Sequence, residues 1–474
     1  MKKYFINISL LLAIFVFQQC SLNEEPKTFI SPDTFFSSPD SYNAAVMGIY
    51  TDVHNLWASN CMMMKEMFSD ICGEPSASFE QAYPTYTNAT EPFYYNTRDM
   101  WSRCYSIIKN ANFILSKMPE DQKALIGEAK FLRAFAYFHL VQFYGDIPLR
   151  ITPVESYADV QIPKSKQEDV YALIVEDLKY AEINLNEKAP QQGRVYQLAA
   201  TALLAKIYLT MAGNPLNQTA LYSNAVQNAV KVISSGQFAL MDDYSSIFHN
   251  TVYTSESVWE KLFIPANGGN GLHNLTSTAD SYRPIMVPAT WFINSFPQGD
   301  TRREWGIQQT YQDPNGRTLA PFFQKFINNS FTDDNIGSSG SGLLNYTIPY
   351  LRLAEMYLIA AEAENEQNGP ANAYQYINKI RWRARVDKDN SDQVPDLDGL
   401  TKEQFRDAVL MERKWELHLE GSTWFDLKRT NTFNRIQEIR GDALVHPIGN
   451  YNQTWPIPDT EITNNNIDQN PLYK

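Results

Sequence analysis

The stretch GEAKFLRAFAYFHLVQFYGDIPL, residues 127–149, indicates the fold class of this 474-residue chain most clearly. Its apolar residues recur every three or four positions, a period typical of an α-helix with a buried face. Gly145 and Pro148 mark where that helix ends, because glycine favours a helix C-terminus and proline cannot continue a helix. We therefore predict a helix over residues 121–144.

Helical patterns with the same period occur on both sides of this stretch. The predicted helices span residues 41–53, 101–118, 121–144, 167–185, 195–211, 220–234, 351–367, 370–385 and 402–419. Neighbouring helices with alanines at their crossing points, as in residues 198–205, are typical of tetratricopeptide-like solenoids, although no exact 34-residue period is visible. The predicted fold is mainly α: a tetratricopeptide-like helical-repeat scaffold that carries a large irregular, loop-rich ligand-binding part.

Two long segments of the sequence lack a helical period. They span residues 69–99 and 236–345 and are rich in Gly, Pro, Asn and Ser. Long loops in compact domains are often functional. We predict that these two segments form the binding part of one domain over residues 41–474. The helical scaffold then takes residues of about 41–68, 100–235 and 346–430.

Aromatic residues are abundant, with 27 Tyr, 26 Phe and 9 Trp, and many lie in the two loop segments. Tyrosine and tryptophan rings can stack on the C–H faces of sugars, while nearby polar groups bind the hydroxyls. We predict a binding surface there, with ligand contacts from Tyr83, Tyr86, Tyr94, Tyr95, Tyr282, Arg283 and Trp305. If these aromatics instead pack beneath the loops, the chain is a helical scaffold for protein partners.

The segment VLMERKWELHLEGSTWFDLKRT, residues 409–430, places Glu412, Glu416 and Glu420 four residues apart. On a helix these carboxylates form one row. This row has two interpretations: it contains the carboxylate pair of a glycosidase, or it belongs to an interhelical ion-pair network. Surrounding cations favour the network, because they hold acids ionised and a general acid must keep its proton. The candidate cations are Arg381, Arg383, Arg385, Lys428 and Arg429, and Trp424 is a further candidate for ligand contact.

The sequence lacks the common motifs of enzymes and metal sites, including HExxH, CxxC, GxSxG and the P-loop. We therefore predict no catalysis, no metal and no cofactor. The net charge of −13 argues against binding to nucleic acid. Cys61, Cys72 and Cys104 leave an odd number of thiols, and a disulfide between Cys61 and Cys72 is one possibility.

The N-terminus has the pattern of an exported protein. Two lysines precede an apolar run over residues 4–17, which is too short to span a bilayer and typical of a secretory signal. We predict a signal peptide over residues 1–19, a lipidated Cys20 and a tether over residues 20–40. An ordinary signal followed by an incidental cysteine is the alternative.

Six stretches, in the same order, resemble the SusD/RagB family of outer-membrane nutrient-binding lipoproteins. They are GEAKFLRAFAYFHLVQFYGDIPL (127–149), EDVYALIVEDLKYAEINL (168–185), GRVYQLAATALLAKIYLTMAG (193–213), IPYLRLAEMYLIAAEAENE (348–366), ERKWELHLEGSTWFDLKR (412–429) and WPIPDTEI…QNPLY (455–473). Two positions depart from the family pattern: Gln19, where a small residue usually precedes the lipidated cysteine, and Thr423, where arginine often stands.

This resemblance implies a tetratricopeptide-like scaffold on a lipid anchor in the outer membrane, facing outward. It also implies a partner, a SusC-like TonB-dependent outer-membrane transporter over which the protein acts as a lid. The ligands of the family are usually glycans and sometimes peptides, and no catalysis is expected. An oligosaccharide is therefore the expected ligand, and a peptide is the alternative.

Overall fold

The computed structural model describes residues 35–36, 38–58, 66, 68–73, 91–156, 159–248, 253–260, 287–308, 311–312, 318–319, 321–326, 349–440 and 453–473. The chain divides into two compact units between Asn43 and Ala44. The second unit contains nearly all of the described structure and is mainly helical.

Helices make up most of the described structure. They are α1 (Pro39–Ala58), α2 (Glu91–Lys117), α3 (Lys123–Tyr144), α4 (Gln167–Asn184), α5 (Gln197–Ala212), α6 (Tyr222–Ile233), α7 (Thr290–Ser295), α8 (Thr301–Glu304), α9 (Leu353–Asn368), α10 (Tyr374–Ala384), α11 (Lys402–Leu417), α12 (Thr423–Arg429), α13 (Asn434–Arg440) and α14 (Asp459–Asn465). The described part of the chain therefore confirms the predicted mainly α class.

Short antiparallel strands supplement the helices. They are β1 (Ile147–Pro148), β2 (Lys164–Ser165), β3 (Ser257–Glu260), β4 (Ile307–Gln308), β5 (Tyr311–Gln312), β6 (Thr318–Leu319), β7 (Phe322–Phe323) and β8 (Pro349–Arg352). They form the pairs β1–β2, β3–β8, β4–β7 and β5–β6. The β3–β8 pair places Ser257 opposite Arg352 and Glu260 opposite Pro349, with shifts of register between.

The scaffold is a continuous array of helices despite the long segment between α6 and α9. Each of α2 to α6 packs against its sequence neighbour, and α6 then packs extensively against α9, which also contacts α10 and α11. The loop-rich residues between α6 and α9 are therefore an insertion into the array. Packing of successive helices in this way is the arrangement expected of a solenoid.

Helix α3, from the stretch that indicates the fold, is the central helix of the core. It is buried on every side from Phe131 to Tyr144, so it has no solvent face in its second half. The rings of Phe131 and Phe135 each lie 5.0 Å from the ring of Trp259 on β3. Gly145 then adopts a positive φ of 75°, a backbone conformation that favours glycine.

The predicted loop over residues 69–99 is wrong at its C-terminal end, because α2 begins at Glu91. Pro92 is compatible with this helix because it lies in the first turn, where the backbone N–H that proline lacks would have no intrahelical partner. The bounds of the other predicted helices agree with the structure to within a few residues, and residues 459–465, where no helix is predicted, form α14.

A buried network of charges, here called the ion cluster, joins the inserted segment to the scaffold. It contains five carboxylates and five cations: Glu256, Asp300, Glu412, Glu416 and Glu420, with Arg302, Lys325, Arg352, Arg381 and Arg383. Nine of these ten residues are almost fully buried, and the side chain of the tenth, Glu420, is 7% exposed. Because buried charge is costly unless it is paired, the equal numbers of the two signs are what allow the cluster to be buried.

Glu416 on α11 is the most connected carboxylate of the ion cluster. It accepts hydrogen bonds from Arg352 at 2.6 Å, from Arg302 at 3.2 Å and from Arg383. Burial alone would raise the pKa of Glu416, but the three guanidinium groups outweigh burial and hold that pKa well below its usual range. Glu416 is therefore held in its ionised form at neutral pH.

The prediction that the three carboxylates lie on one helix is correct for Glu412 and Glu416 and wrong for Glu420. Helix α11 ends at Leu417, and Glu420 lies in the following turn, where Leu419 and Gly421 have positive φ. Lys325 reaches Glu420 at 2.6 Å. Glu412 and Glu416 are fully buried, the Glu420 side chain is 7% exposed, and each of the three is held in ion pairs, as the ion-pair network interpretation predicts.

The predicted cation partners are partly correct. Arg381 pairs with Glu412 at 2.7 Å and Arg383 pairs with Glu416, as expected. The predicted pairing of Arg385, Lys428 and Arg429 with the three carboxylates is wrong. Arg385 pairs with Asp396, Lys428 donates to the carbonyl of Gln142, and Arg429 pairs with Glu362 and Asp426.

Glu66 is a buried carboxylate outside the ion cluster. One of its oxygens accepts the backbone N–H of Thr423 at 2.8 Å, which ties residue 66 to the start of α12. No cation of the described residues pairs with Glu66. Burial raises its pKa to about 7, while the bonds from Thr423 oppose the rise and Asp426 adds to it.

We expect Glu416→Gln to destabilise the protein by about 3–5 kcal/mol, because it leaves Arg302, Arg352 and Arg383 buried with one negative charge fewer. Urea unfolding followed by circular dichroism measures the change. Glu304→Gln is the matched control, since Glu304 is 54% exposed and its pair with Arg303 is 3.4 Å long. We expect it to change stability by less than about 1 kcal/mol. Equal losses in both variants would contradict the role assigned to the ion cluster.

We expect Glu66→Gln to remove a pH dependence of stability. The folded-state pKa of Glu66 is raised from 4.5 to about 7, so the folded state binds this proton more tightly than the unfolded chain does. The contribution of Glu66 to stability is therefore present below pH 4.5 and is lost as the pH rises to about 7. As the pH rises through this window, the wild type should lose stability relative to the variant. The difference between their unfolding free energies should grow by about 3 kcal/mol. A difference that stays constant with pH would show that Glu66 titrates normally.

Candidate functional site

Most of the predicted ligand contacts lie outside the described residues. Tyr83, Tyr86, Tyr282 and Arg283 belong to this group, as does the predicted lipidation site at Cys20. The backbone of Tyr94 and Tyr95 lies in the first turns of α2, and their side chains are not described. Trp305 is the predicted contact whose side chain is described.

Trp305 packs against Tyr244 and Phe248, two aromatic residues whose rings contact Lys325 of the ion cluster. It follows α8 directly, and its half-buried ring lies 5.7 Å from the ring of Tyr244 and 6.3 Å from that of Phe248. The ammonium group of Lys325 lies 4.5 Å from the Phe248 ring centre. Trp305 therefore has a structural function in shielding buried charge, and its ligand contact stays a prediction.

Trp424 is wrong as a candidate for ligand contact. Its side chain is only 1% exposed, and its ring packs against Phe68 at 6.1 Å and Phe433 at 4.7 Å. It belongs to the core beneath α12. The sequence did not show this, because the heptapeptide of α12 is too short to display a helical period.

The two predicted loop segments are joined at their described ends. The backbone N–H of Gly73 donates to the carbonyl of Val287 at 2.7 Å, and the N–H of Ala289 donates to the carbonyl of Ile71 at 2.8 Å. Cys72 and Pro288 form the antiparallel bridge between these bonds. The segment that begins at residue 74 and the segment that ends at residue 286 are therefore attached to the domain side by side.

A cluster of four residues, here called the junction site, lies next to this bridge. Trp291 donates its indole N–H to the carbonyl of Asp70 at 2.7 Å. The ammonium of Lys414 and the guanidinium of Arg435 each lie 5.6 Å from the centre of the Trp291 ring. Both cations also pair with the carboxylate of Asp70. Cation–π contacts and the ion pairs together fix the orientation of the indole ring.

The junction site combines an accessible aromatic ring with an accessible donor. Trp291 is half-buried, and the Arg435 side chain is 40% exposed. Lys414 is buried, and burial lowers its pKa, with Asp70 opposing the change. A partly open ring beside a guanidinium is an arrangement that can stack on a sugar face and donate to a hydroxyl.

No local pattern in the sequence predicts most of the junction site. Trp291 lies in an aromatic-rich segment, but Lys414 and Arg435 come from α11 and α13. They lie more than a hundred residues from Trp291, and nothing in their local pattern predicts that they converge on it. In the described ranges, no group of three or more His, Cys, Asp or Glu side chains is placed to hold a metal ion. The described helices also include none long and apolar enough to cross a membrane.

Two family models match the chain. The model of the SusD family matches residues 179–473, more than half of the chain. A second model, described as starch-binding and associating with the outer membrane, matches residues 23–209. Together the two matches extend over almost the entire sequence.

Individual proteins give the same result. The chain is 27% identical to the SusD-like protein P25 of Formosa agariphila, over 94% of each chain. It is 26% identical to the starch-binding protein SusD of Bacteroides thetaiotaomicron, over 73% of this chain and 72% of that one. Its fold is similar to that of the surface glycan-binding protein A of Bacteroides uniformis, with a TM-score of 0.74 and 21% identity, covering 92% of this chain and 100% of that one. The chain belongs to the SusD family.

Proposed function

We propose that this protein binds oligosaccharides at the cell surface and delivers them to a SusC-like TonB-dependent outer-membrane transporter, without catalysing a reaction on them. The antiparallel bridge between residues 71–73 and 287–289 is the observation that carries this proposal. It attaches the two aromatic-rich segments at neighbouring points. Tyr83 and Tyr86 of the first segment and Tyr282 and Arg283 of the second can then act on one ligand.

The chemistry of these segments suits a neutral oligosaccharide. Tyrosine rings supply flat apolar faces, and arginine supplies donors for hydroxyl groups. The junction site adds Trp291 and Arg435 at the base of the two segments. The names of relatives agree with this choice, since one is called a starch-binding protein and another a surface glycan-binding protein.

Delivery to a transporter explains why weak, distributed contacts are sufficient. A long glycan held by several shallow sites stays near the transporter, and the effective concentration of the glycan there rises. A continuous helical array is a rigid face suited to covering a pore. We further propose that a lipid on Cys20, at the end of the tether over residues 20–40, holds the protein on the outward side of the outer membrane.

We expect Tyr83→Ala and Tyr282→Ala each to weaken oligosaccharide binding up to about tenfold, because an aromatic contact contributes roughly 0.5–1.5 kcal/mol. Calorimetry with maltoheptaose, laminarihexaose, xylohexaose and mannohexaose measures the affinity. If the two residues hold the same ligand, the double variant should show a coupling energy, since the two losses will not simply add.

Trp382→Ala is the control for this experiment. Trp382 is 43% exposed on α10 of the scaffold, so its removal tests whether any exposed aromatic matters. We expect it to leave the affinity unchanged. No measurable binding to any of the four oligosaccharides would rule out the proposed function for neutral glycans. Peptides recovered with the purified protein and identified by mass spectrometry would favour the peptide alternative.

A further inference from the structure

A groove of about 330 Å³ opens between α2, α14 and the segment that follows β1. It uses none of the residues of the junction site or of the two aromatic-rich segments. Its apolar wall consists of Tyr105, Ile108, Pro148, Pro153 and Val154. Its volume lies at the lower end of the range for ligand pockets, which is roughly 300–1000 Å³.

The floor of the groove is held in place by hydrogen bonds. Tyr105 donates its hydroxyl to the carbonyl of Pro148 at 2.7 Å, which fixes the ring that faces the groove. The carbonyl of Arg150 accepts bonds from Asn112 at 3.0 Å and from Tyr137 at 2.6 Å. Asn112 is in turn held by Arg133 at 2.7 Å. The groove is therefore formed before any ligand arrives, which lowers the entropic cost of binding.

The rim of the groove supplies polar groups that can bind a ligand. Lys109, Thr152 and Asn464 are exposed, and their side chains make no hydrogen bond to another residue in the described ranges. Glu461 adds a carboxylate. Arg150 is already engaged, because its guanidinium donates to the carbonyls of Asp159 and Val160.

These features restrict the chemical class of the ligand. Lys109 and Arg150 stand against the carboxylate of Glu461, so the groove carries a net charge of about one and does not match a polyanion or a polycation. The Tyr105 ring of the wall is a flat apolar surface of the kind on which sugar rings stack, and the amide, hydroxyl, ammonium and carboxylate groups of the rim match sugar hydroxyls. A neutral sugar segment satisfies both requirements.

We propose that this groove is a second carbohydrate-binding site, which takes a short segment of a neutral oligosaccharide. The choice of glycan rests on the proposed function, but the residues are different. Two separate sites on one protein increase the apparent affinity for long chains more than for short ones, provided that one chain can reach both. Even where it cannot, the groove holds a second molecule of the same class.

The test uses the full-length protein with the first site weakened by Tyr83→Ala and Tyr282→Ala. Maltoheptaose, laminarihexaose, xylohexaose and mannohexaose are the probes, and calorimetry is the first readout. We expect residual binding of at least one probe. Adding Lys109→Ala and Asn464→Ala should weaken that residual binding roughly tenfold, because two hydrogen bonds are lost. Both residues are exposed, so the variants keep their fold.

Lys179→Ala with Asn186→Ala is the matched control, since these residues are of the same types and equally exposed on the scaffold. Hydrogen exchange is the second readout, and a bound probe should protect amides of residues 105–112 and 459–465. Absence of residual binding to all four probes, or residual binding that the rim variants leave unchanged, would overturn the proposal. A third outcome is that binding stays normal after Tyr83→Ala and Tyr282→Ala but is lost after the rim variants. This outcome would refute the first site and support the groove as the binding site.

Discussion

The balance of five buried carboxylates against five buried cations is the constraint on which the rest of the structure depends. Asp300, Arg302 and Lys325 come from the inserted segment, whereas Glu412 and Glu416 come from α11 of the scaffold. A buried ion pair adds little stability over a well-packed apolar core, but loss of one partner is expensive. We therefore infer that the ion cluster contributes more to specificity than to stability, because an arrangement that separated the pairs would leave buried charges without partners.

This docking determines what the binding part can do. Helix α6 packs directly against α9, so the array does not depend on the insertion for its continuity. The insertion is held instead by the ion cluster and by the bridge between residues 71–73 and 287–289. The bridge keeps the described ends of the two segments together, and a rigid scaffold of this kind can carry binding loops of variable sequence.

The sequence predicted features that depend on local pattern and missed those that depend on distant contacts. The helices of the scaffold follow from their apolar period, and Arg381 and Arg383 were expected near Glu412 and Glu416 because α10 precedes α11. Arg302 and Arg352 could not be assigned, since they lie 110 and 64 positions from their carboxylates in the chain. Those distances are bridged only by folding. Of the predicted site, the joining of the two segments has structural support, and the individual contacts lie largely outside the described residues.

The two proposed sugar sites differ in how the chain builds them, and this difference has a physical consequence. The groove is lined by α2 and α14 and by a segment whose carbonyls are tied down by Tyr105, Tyr137 and Asn112. Such a site has little freedom to adapt, so its selectivity for sugar shape is set by the scaffold. The junction site instead stands at the base of long segments, whose contacts can change without disturbing the ion cluster. A protein that must accept a long polymer gains from two separate sites, because a rigid site retains one unit of the polymer while the other site binds a further part of the same chain.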